Sequence, residues 1–393
     1  MNFNKSSLYP LNLSHDNASL LAGILGCSIG SLPFTYLGLP LGTTRPRVVD
    51  FAPLVNREER RLTASSMFLP QGGRLTLINS VLSSIPTYYM CSLQLPVTVI
   101  KAIDTARKNC LWRGNNPSLT RMSLAFGDRI CTTKDKGGMG VINLRVHNTA
   151  LLLKHMVKFY NGAELPWVKL ISQTYYVSRL PHLVLNKGSF WWRDITSLLD
   201  IFRGIAKCTI QSGATALFWN DLWNDDFKCT SYPNLFSVTL YKNDSVRTMC
   251  LRPMEDSFVL PLSDDACGEF LQLQEELNHL QLQARRSDVW SFIWGTGIYT
   301  AKRFYNLNYS SLQPPRPMIW LWKTKCVMKI KVFAWLLFCD RLNTRDMLDK
   351  RHCAKEDDDL TCALCNTHHQ TSCLLHMSFQ CGLLAAARHS LGL

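Results

Sequence analysis

The sequence predicts a mainly α-helical protein with small β-hairpins, in the α+β class. Two patterns lead to this fold class: apolar residues recur at intervals of three and four along most of the chain, and the few strand-like runs are short and bounded by Gly or Pro. The chain has 393 residues, 47% of them hydrophobic, which is enough for two or three domains with their own cores. We predict a hairpin region at 1–44, a basic helical unit at 45–162, a connecting region at 163–285 and a small C-terminal domain at 286–393.

The first predicted region combines a short helix with a hairpin. A helical pattern runs from Asp16 to about Cys27. In the apolar run 32–42, two prolines and two glycines punctuate the sequence, which is typical of a strand-turn-strand unit and not of a helix. We therefore expect a tight hairpin there.

Three helices are predicted in the basic unit, over 48–67, 74–93 and 96–112. The Gly-Gly pair at 72–73 is expected to break the pattern before the second helix, and Pro86 is expected to kink or end it. The cationic side chains on or next to these helices are Arg57, Arg60, Arg61, Arg74, Lys101, Arg107, Lys108 and Arg113. Each one alone fits an ordinary solvated helix face, but their joint placement favours contacts with phosphate groups.

Further elements follow in the connecting region and beyond it. Helices are expected from residue 144, over 167–177, 190–202, 264–283, 300–307, 319–338 (with a possible interruption near Cys326) and 344–352, the last one capped by Asn343 or Thr344. Strands are expected at 208–210 and 216–219, paired as a hairpin around Gly213, and at 289–294. The tryptophans at 191, 192, 219 and 223 are expected in the core, although such side chains can also stack on bases.

The composition is basic, which bears on the partner. Lys and Arg number 43 against 29 Asp and Glu, a formal net charge of +14. This charge favours a polyanion such as nucleic acid as the partner, although a basic protein without that partner can show the same balance of charges.

Residues 1–7 lack the apolar core of a secretory signal, and apolar runs such as 332–339 are far shorter than the roughly 20 residues that span a bilayer. We expect an intracellular protein, nuclear or cytoplasmic, without a membrane partner; the oligomeric state stays open.

The cysteines predict one metal site near the C-terminus. They number fifteen, an odd total, and only the last group is tightly spaced, so most are expected to be buried thiols. Cys362 and Cys365 can hold one ion from a single turn, and later His and Cys residues can complete a tetrahedral zinc site. His376 and Cys381 are five residues apart, about 140° around a regular helix. Cys373, His368 and His369 therefore remain alternative ligands.

Several segments resemble a known family. Residues 36–42 (YLGLPLG), 72–90 (GGRLTLINSVLSSIPTYYM) and 137–144 (GGMGVINL) closely resemble the region after the polymerase palm in plant LINE-type (non-LTR) retrotransposon reverse transcriptases. The segments from residue 288 through KIKVFAWLL and DRLNT to the Cys/His cluster resemble the reverse-transcriptase zinc-binding domain that follows in those polyproteins. Together the resemblance covers nearly the whole chain.

The resemblance implies roles for these segments. Residues 36–42 would be the hairpin that supports the primer terminus, and the helices over 48–113 would be the thumb that holds the template-primer duplex. The family's Cys-x2-Cys and His-x4-Cys pattern selects Cys362, Cys365, His376 and Cys381 as ligands of a structural zinc ion. The implied partner is RNA or DNA, bound through its phosphate backbone, so that binding is salt-sensitive and sequence-tolerant.

A polymerase palm needs carboxylates that converge on Mg²⁺, and the family's Asp-Asp hairpin lies upstream of the matching region. The acidic groups at 225–226, 264–265 and 357–359 fit solvated loops. We therefore expect a non-catalytic fragment of a retrotransposon reverse transcriptase, with sequence-tolerant nucleic-acid binding and a structural zinc site. The alternatives are an accessory part of an RNA-directed DNA polymerase, active only with a separately supplied palm, and a degenerate relic with no selected role.

Overall fold

The computed structural model describes residues 6–65, 68–113, 127–176, 188–283, 285–342, 344 and 347, without the side chains of 63–65. Its helices are α1 (His15–Leu25), α2 (Ala52–Ser65), α3 (Gln71–Leu77), α4 (Thr87–Ser92), α5 (Val97–Arg113), α6 (Asp128–Cys131), α7 (Leu144–Tyr160), α8 (Pro166–Tyr175), α9 (Phe190–Thr196), α10 (Leu199–Ile205), α11 (Lys228–Ser231), α12 (Pro233–Val238), α13 (Val246–Leu251), α14 (Asp264–Asn278), α15 (Ala301–Leu307), α16 (Arg316–Lys323) and α17 (Met328–Phe338). Its strands are β1 (Ser7–Leu8), β2 (Ser28–Ile29), β3 (Phe34–Tyr36), β4 (Leu39–Leu41), β5 (Ala206–Thr209) and β6 (Val289–Phe292). The described residues are mainly helical with two-stranded sheets, which confirms the predicted fold class.

The chain divides into two compact units, each built from separate stretches. The first unit comprises Met1–Arg47, Tyr89–Gln94 and Asn148–Tyr305. The second comprises Val48–Tyr88, Leu95–His147 and Asn306–Leu393. Each unit therefore needs contacts between residues far apart in the sequence.

The hairpin predicted near the start of the first unit is confirmed. β3 pairs antiparallel with β4, and Tyr36 lies opposite Leu39. The two residues between them, Leu37 and Gly38, both have positive φ, at 49° and 83°. That is the type I′ turn favoured in two-residue hairpins, because its twist matches that of the strands.

The second predicted hairpin is wrong. β5 pairs antiparallel with β6, with Cys208 opposite Trp290, and residues 216–219 form no strand. The reason is Asp288, whose carboxylate accepts hydrogen bonds from the backbone N–H groups of Gln211 and Gly213, both at 2.8 Å. Thr215 donates to the same carboxylate through its N–H at 3.0 Å and its hydroxyl at 2.7 Å. The chain therefore turns around this carboxylate instead of folding back on β5.

The aromatic residues of the connecting region lie in the core, as predicted. Trp192, Trp219 and Trp223 are buried, and Trp191 is half-buried with its indole N–H donating to the Ser92 carbonyl at 2.8 Å. These rings pack against other aromatic side chains of the first unit. They are therefore not available as an exposed stacking platform.

In the second unit, the Gly-Gly pair at 72–73 does not break a helix, contrary to expectation. Both residues lie inside α3. A Cβ on Gly72 would stand 2.8 Å from the Lys329 backbone nitrogen and 2.9 Å from the Met328 carbonyl carbon, so only glycine allows α17 to approach this closely.

The predicted helix over 74–93 is interrupted, as Pro86 indicated, by a π-helical turn at Ile78–Leu82 and by residues 83–86.

Helices from both ends of the second unit share one core. Its buried members include Leu75 and Ile78, Leu111 on α5, and Val332 and Trp335 on α17. The predicted interruption near Cys326 is confirmed, since α16 ends at Lys323 and α17 begins at Met328. The described residues after 306 thus stabilise the helices that begin near residue 52.

Candidate nucleic-acid interface

The first candidate surface is one flank of α2. Leu54, Glu58 and Leu62 recur every four residues and are buried, so they define the inward face of this helix. Arg57, Arg60 and Arg61 are exposed. At 3.6 residues per turn, these three arginines cover about 100° on one flank, and this arc lies outside the buried face. We call them the α2 arginines.

The second candidate surface is a line of two lysines on α5. Lys101 is exposed and Lys108 is half-exposed, and they are seven residues apart, two turns along the same side of the helix. The opposite side carries the buried residues Ile103 and Cys110. Because α2 packs on α5, both surfaces belong to one packed pair of helices in the second unit.

Arg107 is not part of either surface, which corrects its assignment as a phosphate contact. Its side chain is fully buried. The guanidinium donates to the Asp104 carboxylate at 2.9 Å, to the Ser83 hydroxyl at 3.0 Å and to the Ile142 carbonyl at 2.8 Å. Arg107 therefore ties α5 to the turn before α4 and to the segment before α7, and it has a structural role.

Two carboxyl groups share the environment of Arg107. Burial raises the pKa of Glu58 to about 8, although the Arg107 charge acts in the opposite direction. Burial also raises the pKa of Asp104, again against the attraction of Arg107 and its hydrogen bond. Neither carboxyl oxygen of Glu58 has a hydrogen-bond partner among the residues that the structure describes. The contact between α2 and α5 therefore contains the carboxyl group of Glu58, whose burial favours the neutral, protonated form.

The two remaining predicted cations lie outside both surfaces. Arg74, on α3, is half-buried, and its charge partly offsets the burial that raises the pKa of the Cys110 thiol to about 11. Arg113 is the last residue of α5 and is half-buried. By helical geometry Arg113 faces more than about 100° away from Lys101 and Lys108.

A cluster of basic residues was missed by sequence reasoning. The Lys134 ammonium lies 5.3 Å from the centre of the Trp322 ring, and Lys331 donates to the Trp322 carbonyl at 3.2 Å. Burial lowers the pKa of Lys134, and the Lys331 charge lowers it further. The sequence placed these lysines on a turn and on a helix almost 200 residues apart, so only packing could bring them together.

An open cleft lies beside this cluster, with a volume of about 420 Å³. Its lining residues are Arg129, Thr132, Lys136, Gly137, Gly138, Leu312, Gln313, Pro314, Pro315, Met318, Trp335, Phe338 and Cys339. The Trp335 indole N–H donates to the Gly137 carbonyl at 2.7 Å, and Lys136 donates to the Ser310 and Leu312 carbonyls at 3.1 Å each. These hydrogen bonds fix two walls of the cleft.

The four predicted zinc ligands, Cys362, Cys365, His376 and Cys381, lie outside the described residues, as do the alternatives at 368, 369 and 373. Within the described ranges, no three His, Cys, Asp or Glu side chains form a group that could hold a metal ion. A donor set of three thiolates and one imidazole has the chemistry of a closed tetrahedral zinc site.

The acidic groups of the described chain have local partners. Asp225 pairs with Lys207, and Asp226 lies 3.6 Å from the buried Lys228 ammonium. Asp264 and Asp265 occupy the first turn of α14, where negative charge is favourable. The group at 357–359 lies outside the described residues.

Comparison with known proteins gives a partial family assignment. Residues 299–386 match the family described as zinc-binding in reverse transcriptase. This stretch contains the four predicted ligands. The C-terminal part of the chain is thus related to the zinc-binding part of reverse transcriptases.

Among the described residues, no helix is long and apolar enough to cross a bilayer.

Two relatives extend the comparison. The chain is 23% identical over 340 residues to a putative ribonuclease H protein of Arabidopsis thaliana, an alignment that covers 83% of this chain and 54% of that protein. It is 25% identical over 144 residues to an uncharacterized mitochondrial protein of Arabidopsis thaliana, covering 36% of this chain and 92% of that protein. The chain therefore spans about half the length of the first relative.

Proposed function

We propose that this chain is a non-polymerising, nucleic-acid-binding part of a LINE-type reverse transcriptase, and that it holds the phosphate backbone of RNA or DNA. The observation that carries this proposal is the flank of three exposed arginines on α2, beside a helix with two aligned lysines. Their inward faces are fixed by a packed core, so the cations are presented on rigid elements. The relation of residues 299–386 to reverse transcriptases supports the same function.

The physical basis of the proposed binding is charge. Guanidinium and ammonium groups that neutralise phosphates release condensed counterions, so affinity falls as the salt concentration rises. Contacts to phosphate oxygens carry no sequence information, which makes such binding tolerant of sequence. The formal net charge of +14 favours association in the same direction.

Replacing all three α2 arginines by alanine is expected to weaken duplex binding and to flatten its salt dependence. Each lost phosphate contact should reduce the slope of log K against log salt by about 0.9, so the triple variant should lose about 2.7. The measurement is fluorescence anisotropy of a labelled 20-base-pair duplex over a salt series. The matched control removes three exposed arginines of the first unit, Arg247, Arg285 and Arg286.

The control triple changes the net charge by the same amount as the α2 triple. It should nevertheless retain the wild-type salt slope, because its arginines do not belong to the proposed binding surface. Equal losses in both triples would mean that only net charge matters and would contradict the assignment to α2. Failure of the wild-type chain to bind any duplex or single strand at low salt would overturn the proposed function.

We also propose one structural zinc ion per chain, held by Cys362, Cys365, His376 and Cys381. The match of this stretch to a zinc-binding family and the soft donor set support the assignment. Elemental analysis of the purified protein is expected to give about one zinc per chain. The Cys362→Ser variant should lose it, whereas Cys267→Ser, which alters an exposed free thiol, should retain it. Retention of zinc by Cys362→Ser, or its loss on Cys373→Ser, would reject this ligand set.

A second function is favoured by the β3–β4 hairpin, which would assist a separately supplied polymerase palm. Its tip exposes apolar side chains, with Leu37 at 73% and Tyr36 at 58% of their full accessibility. An exposed apolar turn suits packing against another protein element. In a primer-extension assay the chain alone should give no product, and addition of a purified palm domain should restore synthesis only if Tyr36 and Leu37 are intact. A Mg²⁺-dependent product from the chain alone would overturn the non-polymerising assignment.

A further inference from the structure

We propose that the lysine cluster and the cleft form a second binding site, which takes one unpaired nucleotide of a single-stranded nucleic acid. Lys134 and Lys331 would hold its phosphate, and the cleft would hold its base. This inference rests on the proposed function, because it names the class of nucleic acid, but it concerns surfaces other than the α2 arginines. Every residue that carries it belongs to the second unit.

The phosphate half of the site follows from two lysines on one tryptophan, whose charges repel each other. The two lysines lie against the same tryptophan, one over its ring and the other on its carbonyl. Among the described residues, no carboxylate pairs with either lysine. An anion would offset the repulsion between the two lysines.

The base half of the site follows from the walls of the cleft. Met318 and Phe338 contribute apolar and aromatic surface, and Arg129 and Lys136 contribute positive charge, whereas the Trp335 ring is buried and only borders the cleft. A volume of about 420 Å³ lies within the usual range of small-molecule pockets. Aromatic and thioether groups suit the flat face of a nucleobase, and an arginine suits its polar edge.

The two halves are joined by helix geometry. On α16, Met318 of the cleft and Trp322 of the lysine cluster are four residues apart, and on α17 so are Trp335 and Lys331. Four residues are about one turn, so each pair lies on one side of its helix, about 6 Å apart. The turn that carries Lys134 and Gly137 lies across both pairs. The phosphate and base positions are therefore neighbours, at a spacing that a single nucleotide can bridge.

Duplex nucleic acid does not suit this arrangement. A paired base is stacked within the helix and is not free to enter a cleft, whereas bases of single strands can be splayed out and inserted between side chains. The site therefore predicts a preference for single strands that the α2 arginines, which contact only phosphate, do not supply.

The first experiment compares a single-stranded 20-mer with the duplex of the same sequence, using the full chain and fluorescence anisotropy over a salt series. Lys134→Gln with Lys331→Gln is expected to reduce the salt slope for the single strand by about 1.4, that is about 0.7 for each lost contact. Duplex binding by this double variant should stay within twofold of wild type. The matched control, Lys158→Gln with Lys302→Gln, removes two exposed lysines of the first unit and should leave both slopes unchanged.

The second experiment tests the cleft with a 20-mer in which every position is abasic. Stacking is worth about 1–3 kcal/mol per base, so wild-type protein should bind the abasic strand roughly 5- to 150-fold more weakly than the complete strand. Met318→Trp fills the cleft and should reduce this difference to less than twofold, with folding checked by circular dichroism.

The outcomes separate the two proposals. Duplex binding through the α2 arginines, combined with equal affinity for abasic and complete strands, would overturn the nucleotide site and leave the proposed function intact. An equal loss of duplex and single-strand binding in the Lys134/Lys331 variant would also overturn the site, because the lysines would then act as general charge. Absence of any nucleic-acid binding would reject the proposed function itself.

Discussion

Replacing Arg107 by methionine is expected to lower the free energy of unfolding of the second unit by about 3 kcal/mol, the lower end of the usual cost of removing one partner from a buried ion pair, because the Asp104 carboxylate is only half-buried. The loss arises because three groups lose their donor: the Asp104 carboxylate, the Ser83 hydroxyl and the Ile142 carbonyl. Unpaired polar groups inside a protein are costly. Urea denaturation, with hydrogen exchange followed on peptides of α5, measures the effect.

The matched control for this prediction is Lys108→Met, the adjacent and half-exposed position. It should change the free energy of unfolding by less than about 0.5 kcal/mol, as surface substitutions usually do. Under conditions where Arg107→Met remains folded, its salt slope for duplex binding should equal that of wild type, because the guanidinium is buried. A stable Arg107→Met protein whose slope falls by about 0.9 would instead make Arg107 a phosphate contact.

Raising the pH from 5 to 9 is expected to destabilise the α2–α5 contact through Glu58. The pKa of Glu58 is about 8 in the folded protein, against an ordinary value of 4.5. Below pH 4.5 this carboxyl group is protonated in both the folded and the unfolded state, so it does not reduce the free energy of unfolding. Between the two values only the unfolded state loses the proton, so the free energy of unfolding falls by about 1.4 kcal/mol per pH unit, on the order of 5 kcal/mol in total, and levels off above pH 8.

Glu58→Gln should remove this pH dependence, because an amide resembles the neutral carboxyl group and does not ionise. Urea midpoints at unit pH intervals from 5 to 9 measure the effect, and the variant should be more stable than wild type at pH 9. Glu59→Gln, at the neighbouring exposed position, should keep the wild-type slope. The same slope in wild type and Glu58→Gln would show that another group causes the pH dependence.

Local patterns were sufficient for much of the fold. The helices α1, α2 and α5 follow from apolar spacing, and the β3–β4 hairpin follows from its glycine and proline punctuation. These elements depend on neighbours within a few residues, and such neighbours are visible in the sequence. The false hairpin at 208–219 shows where local reading fails, because its residues bond to Asp288, about 75 positions further along the chain.

The residues of the candidate site were also predicted only in part. Helical periodicity alone places the α2 arginines outside the buried face, but it also led to the wrong prediction that Arg107 is a surface cation. A sequence does not say which of several arginines on a helix will be buried among polar partners, since Asp104, Ser83 and Ile142 come together only through packing. The Lys134–Trp322–Lys331 cluster was missed for the complementary reason, since its members lie on a turn and on two later helices.

The sequence by itself determined the helical character of this protein, its basic charge and its reverse-transcriptase-like C-terminal stretch. These properties depend on composition, on the 3.6-residue period and on short motifs, all of which are local. Only the tertiary structure decided which cations face solvent, which carboxyl group is buried beside Arg107, and which lysines meet over a tryptophan. Burial and electrostatic interaction depend on distances across the folded chain, and those distances exist only after the helices have packed.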